Sequence, residues 1–276
     1  MKYIGIDLGG TNVRAGVVNG SGEIVSQNSM PCNSGGTENE VLEQIFALID
    51  GVDSPEVAGI GVGVPSVVDI EKGIVYDAVN IPSWQEAPLK AFLEERFQIP
   101  VAVNNDANCF TMGAYGMYPE DKKPEVLVGI TLGTGVGIGI VDRGRLFCGA
   151  TCGAGELGSL PYRGGILEDA CSKKFYAAKG WESPAAARAA REGDPAALAL
   201  FEELGRNMGE LLCTVLYAYD PSHIAFGGGG AWNYPLFRAS MEAFVHQHFP
   251  YRKALERLTV DVFTGNEIPV LGATLI

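Results

Sequence analysis

A short design that occurs twice constrains this chain more than any other feature. Residues 2–18 read as an apolar strand (KYIGIDL), a Gly9-Gly10-Thr11 turn and a second strand (VRAGVV), and Asn19-Gly20-Ser21-Gly22 then turns into a third. Residues 126–147 repeat it: VLVGITL, the turn Gly133-Thr134-Gly135, VGIGIVD, the turn Arg143-Gly144, and RLF. Each run reads strand, Gly/Thr turn, strand, turn, strand. The repeat predicts two related lobes facing each other, each sending one turn into a shared cleft.

The intervening sequence alternates helices and strands. Helices are expected over about 40–50 and 87–97, and further ones from near Ala107, from about Glu168, over 195–219 and over 235–248. Buried strands are expected at 57–65, 100–103 and 223–228. This order indicates an α/β protein. No linker separates independent domains, so the lobes divide near residue 105. That gives an N-terminal lobe over 1–105 and a C-terminal lobe over 106–276, with the end of the chain packing back on the first lobe.

Charge excludes one class of partner. Thirty-three acidic against 20 basic residues leave a formal net charge of −13. Nucleic-acid binders need a basic footprint to release counterions from phosphates, and no Lys/Arg-rich stretch occurs. No apolar run is long enough to span a membrane, and the first strand meets an acid at Asp7, unlike a secretory leader. Six scattered cysteines suit structural thiols in a reducing compartment, so the chain is read as cytoplasmic. A homodimer remains open beside a monomer.

Three glycine-rich turns can carry phosphate chemistry. There is no G-x-x-x-x-G-K-[ST] loop. The single G-x-G-x-x-G, at Gly153, Gly155 and Gly158, lacks the preceding strand and following acid of a dinucleotide fingerprint. In Asp7-Leu8-Gly9-Gly10-Thr11-Asn12, Asp7 ends a buried strand, where a charge is costly without a cation or hydrogen-bond donors. The glycines let backbone approach a ligand, and successive N–H groups with the Thr11 hydroxyl can cradle phosphate oxygens. The alternative is a plain hairpin turn. Thr131-Leu132-Gly133-Thr134-Gly135-Val136-Gly137 repeats the chemistry. Gly227, Gly228, Gly229 and Gly230 follow a strand and precede a helix, where adenine or ribose could lie on bare backbone, or the loop could simply be flexible.

Asp106, in Val103-Asn104-Asn105-Asp106-Ala107-Asn108, stands at the carboxyl end of a strand, where open α/β sheets bind ligands. It reads as a candidate catalytic carboxylate or as the cap of the following helix. Asn105 can donate to and accept from a polyol. Glu156 and Glu168 lie in and just after a Gly-rich stretch, where a carboxylate accepts several sugar hydroxyls or is an ordinary solvated acid.

Together these motifs resemble the ROK family (repressors, open reading frames and sugar kinases) of the actin-like ATPase superfamily. The resemblance runs through Asp7–Asn12, Val64-Pro65-Ser66-Val67-Val68-Asp69, Asn80-Ile81-Pro82-Ser83-Trp84, Asn105–Asn108, Leu132–Gly137, Gly155-Glu156-Leu157-Gly158, Phe226–Gly229 and Leu271-Gly272-Ala273. It implies a two-lobed, ribonuclease H-like fold with the ligand cleft between the lobes. It also implies an ATP-dependent sugar kinase, glucokinase-like, acting on the 6-OH of a hexose or N-acetylhexosamine. Asp106 would be the base, and Asn105, Glu156, Glu168, Ser159, Ser66 and Asn80 would meet the sugar. Gly9, Gly10, Thr11, Asn12, Thr131, Gly133, Thr134, Gly135, Gly227, Gly228 and Gly229 would hold ATP, with Asp7 facing Mg²⁺ through water.

Two departures stand out. Ser159 replaces a His that many members carry three residues after the loop Glu, and residues 160–167 contain no Cys where the family's zinc segment would fall. No zinc site is therefore expected. The family also contains repressors, but here the first phosphate motif begins at Gly5, with no DNA-reading module before it. A non-catalytic sugar-binding or sugar-sensing protein is the remaining alternative.

Overall fold

The computed structural model describes residues 1–52 and 56–276. The chain divides into two compact units. The first contains Met1–Lys123, Gly139–Ala154 and Asn266–Ile276, and the second contains Pro124–Ile138 and Gly155–Gly265.

The first repeat forms an antiparallel meander of β1 (Lys2–Leu8), β2 (Asn12–Val18) and β3 (Ile24–Pro31). Helix α1 (Glu38–Asp50) starts where Thr37 and Glu40 form a reciprocal capping box, two residues earlier than hydrophobic periodicity alone suggests. Strand β4 (Val57–Val64) then pairs in parallel with β1. A small antiparallel sheet follows, of β5 (Val67–Asp69), β6 (Ile74–Tyr76) and β7 (Glu86–Ala87). Its strands are too short for a periodic signal. Ala87, expected to open a helix, is extended because the residue before a proline avoids helical backbone, and α2 (Leu89–Phe97) begins after Pro88. Strand β8 (Val101–Asn105) pairs in parallel with β4, and α3 (Asp106–Met117) follows without a break.

The resulting sheet has the order β3-β2-β1-β4-β8. Strands β1 and β4 are buried continuously over Ile4–Leu8 and Gly59–Val64, as expected of central strands covered on both faces. Strand β3 shows a two-residue alternation, as an edge strand does.

In the second unit β9 (Val126–Leu132) carries the second repeat. Strand β10 (Val136–Asp142) starts in this unit and ends in the first, where its last residues pair with β11 (Arg145–Leu146). The hairpin β12 (Pro161–Tyr162) and β13 (Gly165–Ile166) turns on Arg163 and Gly164, both at positive φ, as a tight two-residue hairpin loop requires. Helices α4 (Leu167–Cys171), α5 (Lys173–Ala178) and α6 (Ser183–Arg191) follow. The 25-residue α7 (Pro195–Tyr219) has the predicted bounds: Asp194 caps its first turn through Ala197 N at 2.8 Å, and Asp220 closes it in the left-handed region. Strand β14 (His223–Gly227), helix α8 (Tyr234–His248), helix α9 (Arg252–Arg257) and strand β15 (Thr259–Val262) complete the unit, with β14 parallel to both β9 and β15.

The last helix, α10 (Ile268–Ala273), belongs to the first unit and lies at backbone distance from its sheet. A Cβ on Gly5 would fall 1.9 Å from Val270 O, and one on Gly61 1.6 Å from Ala273 O. Glycine in the middle of these two strands is therefore a packing requirement. No helix among the described residues is long and apolar enough to cross a membrane.

Candidate functional site

In the first unit three adjacent parallel strands end in register. Asp7 on β1 lies opposite Gly63 on β4, Gly63 lies opposite Asn104 on β8, and Val64 lies opposite Asn105. Asp7, Gly63 and the Asn104-Asn105-Asp106 run therefore form a row along the carboxyl edge, the face on which open α/β sheets bind ligands. Asp7 is only 9% exposed. Burial raises its pKa, while the charge and hydrogen bond of Arg14 pull it down. The two pair at 2.9 Å across β1 and β2. Arg14 is the partner that the sequence reading missed; its signal was being the lone charge inside VRAGVV.

Of the two roles read for Asp106, the helix cap is filled by its neighbour. The cap of α3 is Asn105, whose Oδ1 accepts from Ala107 N at 2.9 Å and Asn108 N at 3.3 Å. Asn105 also donates through Nδ2 to Ser66 O at 3.2 Å. Asp106 is the first helical residue, its Oδ1 2.8 Å from Ala107 N. Buried Cys109 lies one turn further on. Its thiol pKa is pushed well up by burial first, then by the charges of Asp106 and Asp7, so both carboxylates face the same neighbourhood.

Other expected contacts are already engaged inside the unit. Gly9 N donates to Asn12 O at 2.9 Å and so closes the turn, and Thr11 O accepts from Cys32 N at 2.9 Å. A Cβ on Gly10 would meet Cβ of exposed Asn80 at 2.7 Å, so the first phosphate turn and the Asn80 segment are in contact. The Ser66 hydroxyl donates to Tyr76 O, which ties β6 to the end of β4.

The second unit brings its own set together. Thr131 and Gly227 are register partners on β9 and β14, so two glycine-rich turns leave neighbouring strand ends. Gly228 has φ of +75°, and a Cβ there would lie 2.5 Å from Leu132 O, which only glycine tolerates. Gly133 N donates to Gly135 O at 3.0 Å, and Thr131 Oγ1 to Gly137 O at 3.3 Å, which closes the second phosphate turn. Thr134 is exposed at its tip.

Glu168 packs onto this turn. Its Oε2 accepts from Val136 N at 3.0 Å and its Oε1 from Lys174 Nζ at 2.8 Å, and a Cβ on Gly135 would come within 2.4 Å of Oε2. Glu156 opens a short 3₁₀ turn, Glu156–Ser159. Its pKa is raised by desolvation of the carboxyl and then by the charge of nearby Glu168. Ser159 is exposed at the end of the same turn. Among the described residues no group of three or more His, Cys, Asp or Glu is placed to hold a metal ion.

A sequence model of the ROK family matches residues 3–276. Glucokinase from Halalkalibacterium halodurans is 37% identical over 164 residues, 57% of this chain and 49%, about half, of that relative. Glucokinase from Streptomyces coelicolor is 30% identical over 261 residues, covering 82% of this chain and 81% of the relative. The crystal structure of a ROK family glucokinase from Streptomyces griseus in complex with glucose and AMPPNP superposes with a TM-score of 0.81 at 28% identity, covering 99% of this chain and 98% of that one.

Proposed function

The chain belongs to the ROK family and has its α/β, actin-like ATPase fold, and on that premise we propose that it transfers the γ-phosphoryl group of ATP to a sugar hydroxyl, the 6-OH of a hexose or N-acetylhexosamine. The observation that carries the reading is the row of strand ends in the first unit. There Asp106 stands beside a helix cap that Asn105 already provides.

In this reading Asp106 accepts the proton of the attacking hydroxyl, a role worth about 10²–10⁴-fold in rate. Asn105, Ser66, Asn80, Glu156, Glu168 and Ser159 are the side chains assigned to orienting the sugar. Asn105 and Ser66 act in part by fixing the backbone on either side of the base, because their own side chains are bonded within the unit. The Asp7–Asn12 turn, the Thr131–Gly137 turn and Gly227–Gly229 hold ATP through backbone N–H groups and hydroxyls.

The chemistry of the donor set suits Mg²⁺. A buried carboxylate paired with one arginine is no cage of ligands, and Mg²⁺ keeps several waters and binds mainly through substrate phosphates. Asp7 would hold the ion through water, and the ion would supply charge neutralisation at the phosphate oxygens. Phosphoryl transfer of this kind depends on positioning and charge stabilisation more than on covalent chemistry by the protein.

The test is a coupled ATP-consumption assay across glucose, N-acetylglucosamine, N-acetylmannosamine, mannose, fructose and allose. Sugar-dependent turnover by at least one is expected. Sugar binding without turnover across the panel would favour a sensor.

A further inference from the structure

The cysteines outside the phosphoryl-transfer machinery are not scattered in space. Within the first unit Cys148 and Cys152 are in hydrogen-bonding contact with each other, and both touch the side chains that flank Asn105 and Asp106. Asn104 Nδ2 and Asn108 Nδ2 each lie 3.7 Å from Cys148 Sγ, and Asn108 Nδ2 lies 3.7 Å from Cys152 Sγ as well. Cys152 Sγ is 3.4 Å from Asn104 Oδ1 and also accepts from the backbone N–H of Asn105. The same Asn104 Oδ1 accepts from Asn105 N at 2.8 Å and Asn108 Nδ2 at 2.9 Å. One carboxamide thus connects both thiols to the start of α3.

We propose that Cys148 and Cys152 are a reversible oxidation site, closed to a disulfide by a small neutral hydroperoxide, and that its state is felt at the Asn105–Asp106 segment.

Three observations support this beyond the contact. Cys148 is half-buried beside exposed Gly149, Ala150 and Thr151, whereas Cys152 is 4% exposed, which fits an attacking and a resolving thiol. A cavity of about 700 Å³, bounded by the Val67–Tyr76 hairpin and the 149–152 loop, is lined by Cys152 and by Gly149, the neighbour of Cys148 in the chain. Asp69 and Glu71 on its wall disfavour anionic disulfides relative to a neutral peroxide. Cys152 holds φ of +59°, a left-handed backbone that is unfavourable for a non-glycine residue, and its sulfur lies against the backbone N–H of Asn105.

Hydrogen bonds from Cys152 and Asn104 lower the Cys148 pKa against partial burial, which favours its thiolate, the nucleophilic form, while the hydrogen bond to Cys148 and burial push the Cys152 thiol up. The Cys148 thiolate attacks one peroxide oxygen and breaks the O–O bond, giving sulfenic acid and hydroxide. Cys152 sulfur then displaces the hydroxyl from Cys148 sulfur and loses its proton, and the S–S bond forms. In sum two thiols and one hydrogen peroxide give one disulfide and two waters. Closure removes the one Cys152 S–H, which Cys148 Sγ and Asn104 Oδ1 share as acceptors, and draws the sulfurs to about 2.05 Å.

The disulfide stands independently of the kinase reading, and only its effect on turnover rests on that reading. Reduced protein is treated with one equivalent of hydrogen peroxide, quenched, and mapped by non-reducing peptide mass spectrometry, with turnover measured in parallel. We expect one linked peptide joining Cys148 to Cys152, two of the six thiols lost, and turnover down about fivefold, the equivalent of one lost hydrogen bond. Dithiothreitol should restore both, and Cys148→Ser should show neither response relative to its own untreated state. Intact thiols, or a linkage to another cysteine, would overturn the site. A full 148–152 disulfide with unchanged turnover in an active protein would overturn its link to the Asp106 segment. If the reduced protein phosphorylates no sugar, the functional reading fails, while the peptide map still decides the disulfide.

Discussion

Removing the Asn105 side chain separates two jobs that lie side by side in the sequence. Asn105→Ala deletes the cap to Ala107 N and Asn108 N, and a lost cap costs about 1 kcal/mol. It also strips Ser66 O of its 3.2 Å donor in a partly buried setting, which adds about 1 kcal/mol. The sum, about 2 kcal/mol, lowers Tm by roughly 4–8 °C for a protein of this size class. Asp106→Ala, one residue on, leaves all three Asn105 bonds in place and should shift Tm by no more than about 2 °C. Thermal unfolding followed by circular dichroism at constant pH reads both. If Asn105→Ala melts with the wild type and Asp106→Ala shows the large loss, the cap has been assigned to the wrong residue.

Other consequences follow from the same geometry. Gly10→Ala places a methyl 2.7 Å from Asn80 Cβ and should destabilise by about 1–3 kcal/mol, and adding Asn80→Gly should recover most of it; additive losses in urea denaturation would show that the two segments do not touch. Glu156 has a raised folded-state pKa, so its ionisation opposes folding as pH rises through the carboxylate range. Glu156→Gln should therefore raise Tm at neutral pH, and the gain should vanish at acid pH where the wild-type carboxyl is already protonated; a pH-independent difference would contradict the shift. Ser159→Ala should change sugar KM or preference with little change in ATP KM, and a shift in ATP KM instead would misplace this loop. Elemental analysis of protein purified without added metal should find zinc well below one per chain, and a stoichiometric, chelator-resistant zinc would contradict the loss inferred from residues 160–167.

Much of this architecture was legible because its signals are local. The doubled strand–turn–strand pattern, the apolar period of Pro195–Tyr219 and the Asx-rich end of Val101–Asn105 each leave a mark within one stretch of chain. What was missed depends on residues far apart in sequence. Arg14 meets Asp7 only through strand register, and nothing in VRAGVV says which acid it faces. Gly5 and Gly61 read as ordinary strand glycines until α10 arrives from the end of the chain. The strands of the Val67–Ala87 sheet are two or three residues long, below the length at which alternation can be seen. Cys148 and Cys152 looked unremarkable in the sequence because their partners, Asn104 and Asn108, lie 40 to 48 positions away. Proximity in sequence favoured neither reading of Asp106, and the hydrogen bonds of Asn105 show only which side chain caps α3.

The most direct test of the account is turnover by Asp106→Asn. The substitution keeps the side chain's size and much of its hydrogen bonding but removes the proton acceptor. With Asn105 still capping α3, the protein should stay folded and bind ATP, because the phosphates are assigned to the glycine-rich turns. Its rate on the preferred sugar should fall by about 10²–10⁴-fold, roughly 3–5.5 kcal/mol of transition-state stabilisation. A folded Asp106→Asn protein that phosphorylates its sugar at near the wild-type rate would contradict the mechanism at its centre.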